Sequence, residues 1–186
     1  MCLIGLDFKD KWLKNAIGLQ HWNKRDHNLK EMQEIYQELT RRGLKRELKN
    51  WKTSSGTTAL MRATAADNLD ICQWLLKENL VEVTSKNFDG WNALHFAACF
   101  CRTEIIALLL KETSIDINEQ TDDGWTALHF AAQTSFSVED RVEVTRILLE
   151  YDPQLLVDEA GKTALDKARE NGNESVVELL KSHYNI

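Results

Sequence analysis

The chain has 186 residues, of which 43% are hydrophobic and 28% charged, and this composition is typical of a soluble globular protein. One proline and eight glycines exclude a long Pro/Gly-rich linker, while four cysteines without framework spacing indicate a reducing compartment. The net charge of −6 divides into +5 over residues 1–52 (12 basic, 7 acidic) and −11 over residues 53–186 (11 basic, 22 acidic), which disfavours nucleic-acid backbone as a partner of the second part.

Residues 1–26 contain apolar side chains at roughly helical spacing, with lysines between them. These apolar residues are Leu6, Phe8, Trp12, Leu13, Ala16 and Ile17. An amphipathic segment of this kind can dock on a partner or on a membrane surface. We favour a second interpretation, in which the segment covers the end of the helical array that follows, because the outer face of a terminal unit meets water.

Residues 27–43 are predicted to form a helix that ends near Gly43. Its apolar stripe consists of Leu29, Met32, Ile35, Tyr36 and Leu39. The basic cluster Arg41, Arg42, Lys45 and Arg46 follows the stripe. A nuclear import signal is one interpretation of this cluster, and we favour the simpler one, since the end of a helix attracts cations.

One ten-residue phrase occurs twice, 34 residues apart, as residues 89–98 and 123–132, and nine of its ten positions are identical. Each copy opens with Asp-Gly, which favours a tight turn. Asn92 and Thr126 follow the turn and are predicted to cap the next helix. A fixed period of this length is typical of stacked repeats that bury their apolar faces only against their neighbours.

The phrase resembles the ankyrin repeat, whose usual form is D-G-x-T-P-L-H-x-A-A followed by a second helix and a hairpin loop. The resemblance implies an all-α ankyrin-repeat solenoid built from helix-turn-helix units with hairpin loops. Within it, residues 1–52 are predicted to be a divergent N-terminal repeat or cap. Residues 53–186 are predicted to contain three clear repeats, the last a C-terminal cap with charged helix faces.

The turn glycines show where the repeat departs from its period. Gly56, Gly90 and Gly124 are each 34 residues apart, whereas Gly161 follows Gly124 by 37. The excess lies near residues 134–141 and is predicted to lengthen the loop between two helices, and the later hairpin is predicted to be shortened around residues 152–153. Insertions in solenoids usually collect on one face, which is often the binding face, and a relaxed loop length explains this one equally well.

Residues that could support catalysis or metal binding are few. His95 and His129 occupy the motif position at which ankyrin histidines form hydrogen bonds between adjacent repeats, so we predict a structural role. His95, Cys99 and Cys101 could ligate zinc, but a fourth ligand is not visible, and packing is the favoured role of both cysteines. Neither a nucleophile elbow nor a phosphate-binding loop is found, so we expect no enzyme and no cofactor.

The candidate binding residues are those that the ankyrin resemblance places along the concave side. They are Phe88, Asp89, Trp91, Phe100, Asp122, Asp123, Trp125, Gln133 and Thr134. Two tryptophans in register, surrounded by aspartates, indicate an aromatic anchor with acidic neighbours, since tryptophan is enriched among interface hot spots. The alternative is that each tryptophan packs along its own hairpin.

We therefore expect a non-catalytic protein-binding module, an adaptor or an inhibitor, whose partner is another protein with a basic surface. Two alternatives remain: nucleotide or single-stranded RNA binding by stacking on the tryptophan pair, and a scaffold role in a larger assembly. We expect the chain to be monomeric by itself. Its longest uncharged apolar run is too short to span a membrane and no secretory signal is evident, so we expect a cytoplasmic location, with the nucleus as a second compartment.

Overall fold

The computed structural model describes residues 29–41, 43, 49, 51–133 and 135–186. It divides the chain into two compact units, residues 1–83 and 84–186. The interpretation of residues 1–26 lies outside the described residues, as does that of Arg42, Lys45 and Arg46 in the basic cluster. The domain boundary expected between residues 52 and 53 stays a prediction.

The first unit contains three described helices: α1 (Leu29–Arg41), α2 (Ala59–Ala65) and α3 (Leu69–Lys77). The helix predicted over residues 27–43 is confirmed as α1. Just beyond it, Gly43 adopts a positive φ of 73° and donates its N–H to the carbonyl of Thr40 at 3.0 Å. Tyr36 of α1 contacts Trp74 of α3 edge to face at 5.4 Å, so α1 packs against the first helix pair through aromatic rings.

The second unit consists of three helix pairs: α4 (Ala93–Cys99) with α5 (Thr103–Glu112), α6 (Ala127–Gln133) with α7 (Val138–Leu149), and α8 (Ala164–Glu170) with α9 (Glu174–Tyr184). The first helices of successive pairs pack on each other, and so do the second helices. Together with α2 and α3, the described part of residues 53–186 has four helix pairs, one more than the three clear repeats predicted. No strand occurs among the described residues, and the predicted all-α architecture of paired helices is confirmed.

The first helix of each pair has only seven residues, so capping and packing must stabilise it. The predicted cap at Asn92 is confirmed, because its side chain accepts the backbone N–H of His95 at 3.0 Å. Alanines on the buried face leave no space between neighbouring first helices: Ala97, Ala98 and Ala131 are completely buried. The short helices are therefore held by close contact between successive units.

We call each helix pair, together with the turn that precedes it, a repeat unit, and 'unit' has this meaning from here on. The insertion in the unit of Gly124 can be located from the positions of its buried residues. In the other three units the first buried residue of the second helix lies 15 positions after the turn glycine (Gly56 to Ile71, Gly90 to Ile105, Gly161 to Val176). After Gly124 it is Val144, 20 positions later, so five residues are inserted. From Val144 to Gly161 is 17 positions, against 19 from Ile105 to Gly124, which confirms the predicted shortening of the following hairpin.

The prediction that the excess lengthens the loop is wrong for most of the inserted residues. Helix α7 begins six residues before Val144, whereas α5 begins only two residues before Ile105, so four of the five residues extend a helix. The reason is local. Ser137 accepts the N–H of Asp140 at 3.1 Å, and Glu139 and Asp140 in the first turn favour the positive end of the helix dipole.

Candidate functional site

Three consecutive turns within residues 84–186 lie in one row, which we call the turn row: residues 87–91, 121–125 and 158–162. Within each turn, the first residue donates its backbone N–H to the carbonyl of the last at 2.9 Å. Successive turns are joined through their main chains, by Asp122 N–H to Asp89 O at 3.3 Å and by Glu159 N–H to Asp123 O at 3.1 Å. The backbones of the three turns therefore have fixed relative positions.

The turns pack so closely that a glycine is required in the first and the second turn of the row. Gly90 and Gly124 have φ of 76° and 78°, which L side chains rarely adopt. A Cβ on Gly90 would lie 2.5 Å from the backbone N of Asp122, and a Cβ on Gly124 would lie 2.9 Å from the backbone N of Glu159. Asp-Gly in the repeated phrase thus serves both the turn conformation and the contact between units.

Acidic side chains and one phenylalanine project from the turn row. Asp89, Asp122, Asp123 and Glu159 are exposed, and within the described part of the chain none of their carboxylates forms a salt bridge. Phe88 precedes the first of them and is 73% exposed, the largest exposed fraction among the large hydrophobic side chains described. The turn row thus combines an exposed apolar ring with unneutralised negative charge.

The two predicted tryptophans are half-buried in a continuous run of rings. Trp91 lies between Phe96, at 5.1 Å between ring centroids, and Phe130, at 4.3 Å. Trp125 contacts the same Phe130 at 5.0 Å. Trp91 therefore packs against the helix of the following unit and not only along its own hairpin, and the two indoles are coupled through one buried phenylalanine.

The run of rings ends on a buried ion pair. Lys167 Nζ lies 4.5 Å from the centre of the Trp125 ring and 2.7 Å from the carboxylate of Asp158. Both charged residues are buried. Burial acts to raise the pKa of Asp158, but hydrogen bonds from Lys167 and from the amides of Lys162 and Ala160 lower it more, so the pKa falls below its usual value.

Sequence reasoning overlooked Phe96, Phe130, Lys167 and Asp158, although the repeat register contained a signal for three of them. Phe96, Phe130 and Lys167 each lie six residues after a turn glycine. In the last copy a cation, Lys167, therefore stands where the other two have an aromatic ring, and it packs on Trp125. A buried cation of this kind needs a buried acid as its partner. Asp158 could be assigned only from the structure.

Two of the remaining predicted site residues, Phe100 and Gln133, lie at the ends of the first helices. Phe100 is half-buried and stacks on Phe96 at 6.4 Å, with the Arg102 guanidinium 6.0 Å from its ring centre. Gln133 is exposed at the end of α6. Thr134 lies outside the described residues. The structure thus connects Phe100 with the aromatic run, whereas Phe88 and the aspartates belong to the turn row.

The hydrogen bonds predicted for the two histidines are confirmed. His95 Nε2 donates to the carbonyl of Glu119 at 2.9 Å, and His129 Nε2 donates to that of Lys162 at 3.0 Å, both in the next unit. In each ring Nδ1 accepts the N–H of the capping residue, at 3.0 and 3.1 Å, which fixes the neutral tautomer. Burial lowers the pKa of His95 to about 4 and also lowers that of His129.

Metal binding finds no further support in these residues. His95 uses both ring nitrogens in hydrogen bonds. Burial raises the pKa of the Cys99 thiol, which disfavours the thiolate that a metal needs. Among the described residues, no group of three or more His, Cys, Asp or Glu side chains is arranged to hold a metal ion.

Comparison with protein families identifies the class. The family model described as ankyrin repeats (3 copies) matches residues 28–121 and 112–186. The chain belongs to the ankyrin-repeat family. Ankyrin repeats are generally protein–protein interaction modules and are typically non-catalytic.

Comparison with curated protein sequences finds no match to this chain. None of the helices in the described ranges is long and apolar enough to cross a membrane. The side chains of this protein itself are therefore what indicates its partner. Those that the repeat framework leaves exposed are the relevant ones.

Proposed function

We propose that the protein is a non-catalytic binding module, an adaptor or an inhibitor, that holds a basic protein surface against the turn row. The observation that carries this proposal is Phe88, 73% exposed beside four exposed carboxylates that have no salt-bridge partner in the described residues. Removing a large apolar side chain from water favours association, and adjacent unneutralised acids select a cationic partner.

In this proposal the aromatic run has a supporting role as well as a contact role. Trp91 and Trp125 are half-buried, so each offers part of its ring to a partner while the remainder packs on Phe130. The double variant Trp91→Ala/Trp125→Ala would remove internal packing together with any contact. It cannot separate binding from stability, and Phe88 is the better residue to test.

Base stacking on the tryptophan pair is the less favoured function. The ring of Trp91 already contacts two phenylalanines, and the ring of Trp125 contacts Phe130 on one side and carries the Lys167 ammonium near its centre. A nucleic acid also needs basic neighbours for its phosphates, whereas the turn row is acidic. No specific observation favours a scaffold role over binding of a single partner.

The test requires a partner, which is captured from lysate on immobilised protein and then measured as a purified pair. We expect Phe88→Ala to weaken binding by about 2 kcal/mol, roughly 30-fold, as truncation of an interface anchor does. Asp122→Asn/Asp123→Asn should slow association, and raised ionic strength should slow association of the wild type, with smaller effects on dissociation. Size-exclusion chromatography of the free protein should give a monomer.

Matched controls come from the opposite end of the chain. Ile186→Ala truncates a side chain that is 63% exposed, and Glu174→Gln/Glu178→Gln removes two exposed charges from α9. If these controls weaken binding as much as the turn-row variants do, the location of the site is wrong. A partner that binds equally well to wild type and Phe88→Ala, with no dependence of association rate on salt, contradicts the proposal. We further propose that the protein acts in the cytoplasm and also in the nucleus.

A further inference from the structure

The inserted residues of the Gly124 unit form an additional first turn of α7 that the rest of the unit does not cover. Residues 135–140 are all exposed, including the apolar Phe136 and Val138, at 38% and 43%. The first completely buried side chain of α7 is Val144, six residues after the helix begins. Because little packing supports this turn, it can open without unfolding the unit.

One serine holds the turn together through two hydrogen bonds. Ser137 Oγ accepts the backbone N–H of Asp140 at 3.1 Å, and it donates its hydroxyl hydrogen to the carboxylate of Asp140 at 2.9 Å. The residues two and three positions after Ser137 are Glu139 and Asp140, both exposed. The serine is thus an accessible hydroxyl followed at short range by acidic residues.

We propose that Ser137 is a phosphorylation site for a serine kinase with a basic substrate cleft, and that the phosphate opens the first turn of α7. Kinases discriminate substrates by charge pattern, and carboxylates after the serine suit a basic cleft. The serine Oγ bonds to the γ-phosphorus of ATP, ADP leaves, and the hydroxyl proton passes to the catalytic aspartate of the kinase.

The phosphate changes the turn for two reasons. The hydrogen that Ser137 donates to Asp140 is lost, because phosphorus takes its place on Oγ. A group with a charge of about −1.5 to −2 is then added next to the acidic Glu139 and Asp140. Together these negative charges far exceed the positive end of the helix dipole, which is roughly half an elementary charge, so their mutual repulsion outweighs the attraction that favours one or two carboxylates there. The charge is added at the exposed residues before the buried part of α7, so the helix from Val144 onward stays folded.

The chain contains a matched internal control. Ser175 is exposed and is followed three positions later by Glu178, which gives the same spacing of serine and carboxylate. It lies in the first turn of α9, however, where the next two residues, Val176 and Val177, are buried at once. The turn that contains Ser175 cannot open without disrupting that core. The ability of the chain to open locally, and not the acidic spacing alone, therefore distinguishes the two serines.

The experiment treats the full-length folded protein with an acidophilic serine kinase and ATP, and locates phosphate by peptide mass spectrometry. We expect modification of Ser137 at least about tenfold faster than of Ser175, because only the first can open locally. Ser137→Asn, which keeps an N-cap side chain, should lose this modification. Hydrogen exchange of the amides of residues 138–141 should then accelerate at least about tenfold in the phosphorylated protein, with exchange around Val144 unchanged.

The proposal is overturned if Ser137 receives no phosphate in the folded protein, or if Ser175 is modified as fast. It is also overturned if the amides of residues 138–141 exchange at the same rate or more slowly after modification, because the phosphate would then act as a cap. None of these readouts depends on the partner of the turn row. The result therefore stands apart from the test of the proposed function.

Discussion

The two motif histidines should make the stability of the protein decrease between pH 7 and pH 4.5. The pKa of His95 is about 4 in the folded chain and 6.5 without its environment. The unfolded state consequently binds more protons in this range, so the stabilisation is complete above pH 6.5 and is lost as the pH falls towards 4. The two pKa values of His95 differ by roughly 2.5, which corresponds to about 3 kcal/mol of unfolding free energy, and most of this is lost by pH 4.5. The lowered pKa of His129 adds to the loss with the same sign.

The measurement is the free energy of unfolding from urea titrations at a series of pH values. The pKa values of Asp158 and Asp166 are lowered from the usual 3.8, so the stability that these carboxylates contribute is lost mainly below pH 3.8. Between pH 7 and 4.5 the change in stability therefore reports on the histidines. The matched variant is His95→Met/His129→Met. Methionine already occupies the same position in the first unit, where Met61 Sδ lies 3.4 Å from the N–H of Thr58.

We expect the methionine variant to be less stable than the wild type at pH 7.5, because it loses two hydrogen bonds to carbonyls of the next units. We also expect its stability to be nearly constant down to pH 4.5. A wild type whose unfolding free energy does not change between pH 7.5 and 4.5 would refute the reasoning. A variant that keeps the wild-type slope would show that other groups cause it.

Two further predictions concern stability. Gly90→Ala should lower the unfolding free energy by about 1–2 kcal/mol because of its left-handed backbone, and by about 1–3 kcal/mol more because the new Cβ overlaps the next turn. Gly161 has φ of 72° and nothing within 4 Å of an added Cβ, so Gly161→Ala should show the backbone cost alone. Thermal unfolding measures both losses. Equal losses would contradict the close contact. Lys167→Met should cost about 3–5 kcal/mol because Asp158 remains buried without its partner, while Arg146→Met, which breaks an exposed pair, should change stability by less than about 1 kcal/mol in urea titrations. A small effect of Lys167→Met would indicate that the backbone amides alone satisfy the carboxylate.

Much of the fold could be predicted because the same phrase meets the same neighbours in each unit. The positions of Asn92 and His95 in the phrase fixed a cap and a contact with the next unit. The inserted residues were harder to assign. Their polar, serine-containing sequence is typical of a loop, and the cap that Ser137 forms with Asp140 in the structure shows that a helix begins there.

The candidate site was only partly predictable, since exposure depends on what lies across from each side chain. Trp91 and Trp125 occupy equivalent positions and both contact Phe130, yet the second neighbour of Trp91 is Phe96, whereas that of Trp125 is Lys167 of the following unit. Sequence identity within the phrase says nothing about this difference. Phe88 has no equivalent ring in the next turn, where Asp122 stands, and its exposure became clear only from the structure.

The main-chain hydrogen bonds between successive turns have a consequence for how such a chain can change over generations. Asp122 donates to Asp89, and Glu159 to Asp123, with backbone atoms that every residue except proline supplies. Side chains at the same positions are thereby released from any role in joining the units. A duplicated unit would meet its new neighbour through the same bonds whatever those side chains were, and the surface of the turns could acquire a new specificity while the connection beneath it stayed the same.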